Sequence, residues 1–356
     1  MTTEQVFFIT LGFAFVFGAV IGSFLNVVIY RVPAGLSVVS PGSRCPSCET
    51  PIRWYDNIPI LSYLFLRGRC RHCQASFSPR YALVEALTGV LAAGLWLKVA
   101  GPHFQMIGAP ARLGAPLPAA DVASLPWGSL ALIFGLYFFF LAMLVVITFV
   151  DLDHYLIPHE FTIPTMIVGV LAAWLLNSDL IATGALAGFF PPVTLASSLI
   201  GLFAGALAVI AIFYLYFAAR GIEGIGGGDL TLMAVMGAWL GWPALLFVFF
   251  ASSLQGIAAA GLGALFNASF LRDSREVMAM EDPREVAKRG EDGTELEDTE
   301  AAESKEDTED AEGAEEAPGA LAVPFGPFIA LAGVQFLFFG EFLGPSLSMS
   351  YLYYGI

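Results

Sequence analysis

Charge is scarce in this 356-residue chain, at 13% of residues, and lysine and arginine together number only 16. A nucleic-acid binder needs a basic face to neutralise phosphates, so no nucleic-acid partner is expected. Histidine and cysteine are scarcer still, with 4 each. The segment "HEFTI" from His159 has Ile163 where an H-E-x-x-H zinc protease needs its second histidine, which excludes that chemistry. No G-x-S-x-G elbow occurs, and no glycine-framed serine in an apolar stretch suggests a membrane serine protease. What the chain has in excess is apolar surface.

Hydrophobic residues make up 57% of the chain, and the mean hydropathy is +0.74, well beyond a soluble protein of this length. A membrane span needs roughly 20 mainly apolar residues. Eight such stretches are found, near Val6–Tyr30, Tyr81–Ala100, Trp127–Val150, Phe161–Leu176, Val193–Ala219, Leu230–Phe250, Ala251–Phe270 and Leu321–Leu343. The expected fold class is an all-α integral membrane protein of about eight transmembrane helices in the lipid bilayer. Its expected parts are a first helix (1–30), a cysteine-rich loop (31–79), a helical core (80–271), an acidic insert (272–318) and a last helix with its tail (319–356).

The net charge of −15 resides mostly in that insert. Residues Arg272 to Pro318 hold 19 acids and 6 bases, leaving 12 acids and 10 bases for the rest. Low in apolar residues and lacking aromatics, the insert is expected to be a disordered, solvated linker. Orientation follows from Arg31, Arg44, Arg53, Arg67, Arg69, Arg71 and Arg80, which crowd the loop after the first span. By the positive-inside rule that loop is cytoplasmic. Eight spans then put both termini outside and the ends of spans three, five and seven at the cytoplasmic face. The start "MTTEQ" lacks a basic region, so the first span is expected to remain as an anchor.

The cysteines form two C-x-x-C pairs, Cys45 with Cys48 and Cys70 with Cys73, 21 residues apart. Two such knuckles can place four thiolates around Zn²⁺. A reducing compartment argues against structural disulfides. Bare thiols and a redox pair stay open as alternatives, as does His72 as a substitute ligand. The expected loop is zinc-ribbon-like, its fold supported by a structural metal.

Carboxylates are the remaining chemistry. Asp151 and Asp153 end the third span in "LVVITFVDLDHYLIP", and Asp229 begins the sixth at the same face. Acids at membrane depth are costly and are functional candidates by default. A pair can work as an aspartic protease does, one carboxyl activating water while the other, protonated, polarises the scissile carbonyl. Residues two apart on a helix point to roughly opposite sides, so one of Asp151 and Asp153 faces the partner. The glycines before Asp229, Gly226, Gly227 and Gly228, read either as a flexible connector or as backbone open to close approach by an extended substrate.

The ordered set "GSFLNVVIYR" (Gly22 to Arg31), the two cysteine pairs, "RYALVEALTG" (Arg80 to Gly89), "DLDHYLIP" (Asp151 to Pro158), "GGGD" (Gly226 to Asp229), "GAWLGW" and "VPFGPFIALAG" (Val323 to Gly333) resembles the bacterial type IV prepilin peptidases. The resemblance implies a bifunctional inner-membrane enzyme with its active site at the cytoplasmic face. It would cleave leaders from prepilins or from type II secretion pseudopilins and methylate the new amino terminus with S-adenosyl-L-methionine. It carries the catalytic roles to Asp151 and Asp229 and links the cysteine loop to methyl transfer. Two positions depart from the family pattern, His159 for an aspartate and Thr231 for a lysine. Glu85 reads as a partner for Arg80 or as part of a second site, and no glycine-rich nucleotide-cradling turn marks a donor site. An ion-coupled transporter and a non-catalytic assembly scaffold are the competing readings. Oligomeric state is not legible.

Overall fold

The computed structural model describes residues 2–108, 123, 125–176, 191, 193–220, 227–266, 272–273, 321–322 and 324–347. Helix α1 (Thr3–Arg31) starts at a capping box, in which the Thr2 hydroxyl accepts the Gln5 N–H and the Gln5 side chain accepts the Thr2 N–H. The cysteine-rich loop contains one 3₁₀ turn (Trp54–Asp56) and one short helix, α2 (Leu61–Phe65). Long apolar helices follow: α3 (Arg80–Gly108), α4 (Trp127–His154), α5 (His159–Leu176) and α6 (Leu195–Arg220). Then come α7 (Gly227–Leu240), α8 (Trp242–Phe266) and α9 (Gly326–Leu347).

Each of the eight predicted apolar segments contains helix, but six described helices, α1, α3, α4, α5, α6 and α8, are long and apolar enough to cross a membrane, and α8 runs straight through the expected boundary between Phe250 and Ala251. The expected span Leu230–Phe250 is broken. Gly241 takes a left-handed φ of +78° and donates back to Gly237 O, and Pro243 in the next turn has no N–H to continue the ladder. The remaining α7 has 14 residues. At 1.5 Å per residue that is about 21 Å, short of the ~30 Å hydrocarbon layer. Helix α9, 22 residues long, has its side chains described over Gly326–Phe342.

Small residues set the helix spacing. Gly18 and Gly22 on α1 lie against α3: a Cβ on Gly22 would sit 2.8 Å from Glu85 Cα, and one on Gly18 2.5 Å from Ala92 Cβ. This is the small-xxx-small packing by which membrane helices approach closely. Helix α7 is seated similarly on α6, where a Cβ on Gly237 would meet the Gly201 carbonyl oxygen. Every residue from Leu232 to Leu240 is buried. Trp239 secures this seat by donating to Thr165 O at 2.8 Å on α5 and stacking on Phe140 of α4 at 5.0 Å. Gly237→Ala is therefore expected to cost about 1–3 kcal/mol by overpacking. Its unfolding midpoint, followed by tryptophan fluorescence in detergent, should fall by a few degrees.

The ends of the acidic segment are joined by two strands, β1 (Arg272–Asp273) and β2 (Leu321–Ala322), paired antiparallel with Arg272 opposite Ala322. The segment thus leaves and returns at one place, immediately before α9. Of the insert expected to be disordered, 272–318, residues 272–273 form β1 and the rest lies outside the described residues.

Candidate active site

Helix α4 carries Asp151 one turn before its end. Tyr155 stops the helix in the left-handed conformation, φ +54°, and its N–H closes on Asp151 O at 2.9 Å. The chain then turns through Leu156, Ile157 and Pro158 into α5. Asp151 is buried, at 4% exposure. Its Oδ2 accepts the N–H of Gly326, the first residue of α9, at 2.9 Å. That N–H is one of the donors a helix start cannot satisfy internally, and it lies at the positive end of the helix dipole.

Asp229, the third residue of α7, is half-buried and follows Gly228, which packs on the same Ile157 side chain as the Gly326 that bonds Asp151, so both acids lie at one junction. The end of α4 and the starts of α7 and α9 thus meet around this pair. Ile157 wedges between them: a Cβ on Gly228 would lie 2.8 Å from Ile157 Cβ, and a Cβ on Gly326 would lie 2.9 Å from Ile157 Cδ1. Gly326 was not singled out in the sequence; the signal that could have found it is a glycine followed by proline at a helix start. Gly326→Ala would put a methyl 2.6 Å from Asp151 Oδ2. Displacing a reacting group by about 1 Å costs on the order of 10²-fold in rate, the expected loss in a leader-cleavage assay of this variant.

The two acids of "DLD" diverge. Asp153 is forked by Arg80, which donates to Oδ1 at 2.5 Å and Oδ2 at 2.7 Å, while its Nη2 donates to Phe149 O at 3.2 Å and its guanidinium lies 4.9 Å from the Phe149 ring centre. The anticipated pairing of Arg80 with Glu85 is not formed. Arg80 reaches across to α4, whereas Glu85, five residues further along α3, accepts the N–H of Ile60 at 2.7 Å. Of the three glycines, Gly227 is exposed with open space where a Cβ would point, Gly228 is packed on Ile157, and Gly226 lies outside the described residues. Thr231, at the departing position, donates to Gly228 O at 2.8 Å, and His159 is exposed at the start of α5.

The cysteine loop proves to be a duplicated turn. Cys45 N–H bonds Thr50 O and Glu49 N–H bonds Cys45 O; 25 residues on, Cys70 N–H bonds Ala75 O and Gln74 N–H bonds Cys70 O. Glu49 and Gln74 both take left-handed φ, +53° and +60°. The four sulfurs lie within 4.8 Å of one another, with Cys45–Cys73 at 3.7 Å and Cys48–Cys70 at 4.0 Å. Bonds of ~2.3 Å from a tetrahedral ion give sulfur separations of roughly 3.8 Å, so the set fits a metal. His72 instead turns its backbone N–H to Cys70 Sγ. The Thr50 hydroxyl holds the Cys48 thiol down at about 6, and the Cys73 backbone N–H lowers Cys70. Against the Ala75 N–H, burial and the neighbouring thiols push Cys73 up to about 11. Arg71, inside the second knuckle, forks Asp56 and ties the knuckle to the 3₁₀ turn.

Two protein families match this arrangement in chain order. The bacterial peptidase A24 N-terminal domain matches residues 16–99, which cover the second half of α1, the cysteine loop and most of α3, and the type IV leader peptidase family matches residues 138–261, from within α4 into α8. Among relatives, the prepilin leader peptidase/N-methyltransferase of Aeromonas hydrophila is 36% identical over 273 residues, covering 70% of this chain and 79% of that protein. The protein of that name from Burkholderia pseudomallei strain 1026b is 32% identical over 356 residues, covering 93% and 85%. One from Myxococcus xanthus is 37% identical over 244 residues, covering 68% of this chain and 60% of that protein. No solved structure matches the chain. This multi-pass membrane protein belongs to the type IV leader peptidase family.

Proposed function

We propose that the chain is an intramembrane aspartyl endopeptidase that removes leaders from prepilins or pseudopilins at the cytoplasmic face of the inner membrane, with Asp151 and Asp229 as its catalytic pair. The observation that carries this reading is the convergence of the two acids, 78 positions apart in sequence, where three helix ends meet. One carboxyl accepts a proton from the attacking water while its protonated partner donates to the scissile carbonyl oxygen. The Gly326 N–H orients Asp151 throughout. Gly227 leaves backbone open beside Asp229, where an extended substrate can pair with it.

Methyl transfer to the new amino terminus from S-adenosyl-L-methionine is the second activity, supported by the names of the relatives. Zinc is the metal we assign to Cys45, Cys48, Cys70 and Cys73, because a tetrahedral S₄ set suits it. Its role is to hold the loop's fold. The deciding experiment is mass spectrometry of the amino terminus of a candidate pilin from cells with and without this protein. Loss of the leader and a gain of one methyl, both dependent on the protein, are expected; a pilin processed identically in both strains would refute the reading.

A further inference from the structure

From Asn57 to Leu66 the cysteine-rich loop reads "NIPILSYLFL", a stretch without a single charge. Its apolar side chains are not packed away. Ile58, Leu61, Leu64 and Phe65 are 40%, 49%, 63% and 82% exposed, and Trp54 just before them is 80% exposed. Large apolar side chains exposed together along so short a segment mark a contact surface, unlike the single exposed residues of an ordinary loop.

Glu85 sets the height of this surface. Its carboxylate accepts the Ile60 N–H at 2.7 Å, and it lies five residues into α3, about 7.5 Å along the axis from Arg80. Ile60, and α2 after it, therefore stand beside the first turns of α3 rather than beyond its end. Those turns belong to a helix apolar enough to span a membrane, and they expose Tyr81, Leu83 and Leu87. Backbone at membrane depth must find its partners inside the protein, and here it does. The Ile58 N–H donates to Ser62 Oγ at 2.9 Å and the Ile60 N–H to Glu85, while Pro59 has none to satisfy. Leu61, Ser62, Leu64, Leu66, Arg67 and Gly68 all donate to carbonyls between Ile58 and Leu64. Ile60 itself takes a left-handed φ of +63°, a costly conformation for a β-branched residue, and the Glu85 bond holds it there.

Cations bracket the stretch. Arg53 precedes it and Arg67 and Arg69 follow, all exposed, and the nearby Asp56 carboxylate is already forked by Arg71. Exposed tryptophan, leucine and phenylalanine beside arginine is the composition that seats a segment at the boundary between acyl chains and headgroups. We propose that Trp54–Phe65 is an interfacial anchor: Leu61, Leu64 and Phe65 enter the acyl boundary of the bilayer that the long helices cross, and Arg53 and Arg67 meet phospholipid phosphates. Lipid is the occupant because the patch continues the outward apolar surface of α3 and its backbone is already satisfied. Glu85 is the tether that fixes its depth. The anchor sets how high the cysteine knuckles stand over the helices, while the fold of the knuckles rests on their four sulfurs.

Photocrosslinking of the full chain in vesicles of phosphatidylethanolamine and phosphatidylglycerol tests it. A photoreactive phenylalanine analogue replaces Phe65, with parallel probes at Phe13, exposed near the middle of α1, and at Gln74, exposed in the second knuckle. An unfolding midpoint equal to wild type, followed by tryptophan fluorescence, shows that each preparation is folded. Mass spectrometry is expected to find lipid adducts at positions 65 and 13, and none above the unirradiated background at 74. A probe at 65 that gives no more lipid adduct than the one at 74, or that crosslinks to a second copy of the chain instead, would overturn the anchor. Glu85→Ala is expected to lower the lipid yield at 65 while the yield at 13 holds, and an unchanged yield at 65 would overturn the tether. Should that variant lose its fold, the exposed pair Leu61→Asp with Leu64→Asp decides. The same loss of lipid adduct at 65 is expected there, and an undiminished yield would overturn the insertion of α2.

Discussion

Exchange of Asp151 or Asp229 for asparagine is expected to abolish leader cleavage, with a rate loss on the order of 10³-fold or more, the scale of removing a positioned acid or base. Asparagine nearly preserves the volume of each side chain. At position 151 its amide oxygen can still accept the Gly326 N–H that now reaches Asp151 Oδ2 at 2.9 Å. At position 229 the site is half-buried and admits a neutral amide. Neither variant leaves a buried charge unpaired, so insertion and helix packing should survive. The loss is chemical: an amide can neither take the proton of the attacking water nor share one with its partner. Unprocessed and processed prepilin, separated on a gel from cells expressing each variant at equal level, report the outcome. Asp153→Asn should behave differently, since its carboxylate is already engaged by Arg80 at 2.5 and 2.7 Å and its loss weakens a clamp between α3 and α4.

Removing the metal, or replacing Cys45 and Cys70 together by serine, is expected to separate the two activities. Structural zinc contributes about 10–16 kcal/mol of apparent binding energy in small knuckle peptides, and this loop has little else to hold it. Among the described residues of the loop only Cys45, Cys70 and Gly68, with Pro33 just after α1, are buried. Without the metal the duplicated turns lose their shared centre. Methylation of the processed pilin should fall on the order of 10²-fold, at the upper end for lost metal-site support. Cleavage should change by much less, because the helices around Asp151 and Asp229 pack through α4, α7 and α9 rather than through the loop. Mass spectrometry of pilin from the double serine variant would then show a cleaved but unmethylated amino terminus. Since metal binding needs deprotonated sulfurs, the same separation should appear in purified protein treated with a chelator, and more readily at acidic pH.

Local chemistry explains what the sequence makes legible. Apolar runs announce helices wherever they lie, two C-x-x-C pairs carry their own ligand spacing, and an acid inside an apolar run is conspicuous. Long-range partners carry no such mark. Arg80 and Asp153 are 73 positions apart, and Gly326 and Asp151 are 175 apart. Only the packed fold reveals that Arg80 spans to α4 and that Glu85 is left to Ile60. The break at Gly241 was readable, since Gly-Trp-Pro combines a helix stop with a helix start. Overall hydrophobicity obscured it, because a short buried helix and a membrane span have the same composition. Gly228 shows the limit of reading glycine as open backbone, since the space its missing side chain leaves is filled by Ile157.

In the proposed mechanism Asp151 and Asp229 act as one unit. This is tested most directly by single-turnover cleavage of a purified prepilin by the full chain in lipid vesicles, comparing Asp151→Asn, Asp229→Asn and the double variant. Groups that act as one unit are strongly non-additive. The prediction is that all three variants fall to the same residual rate, the double no slower than either single. Cleavage near the wild-type rate by either single variant, or a double variant slower by the product of the two single losses, would contradict it.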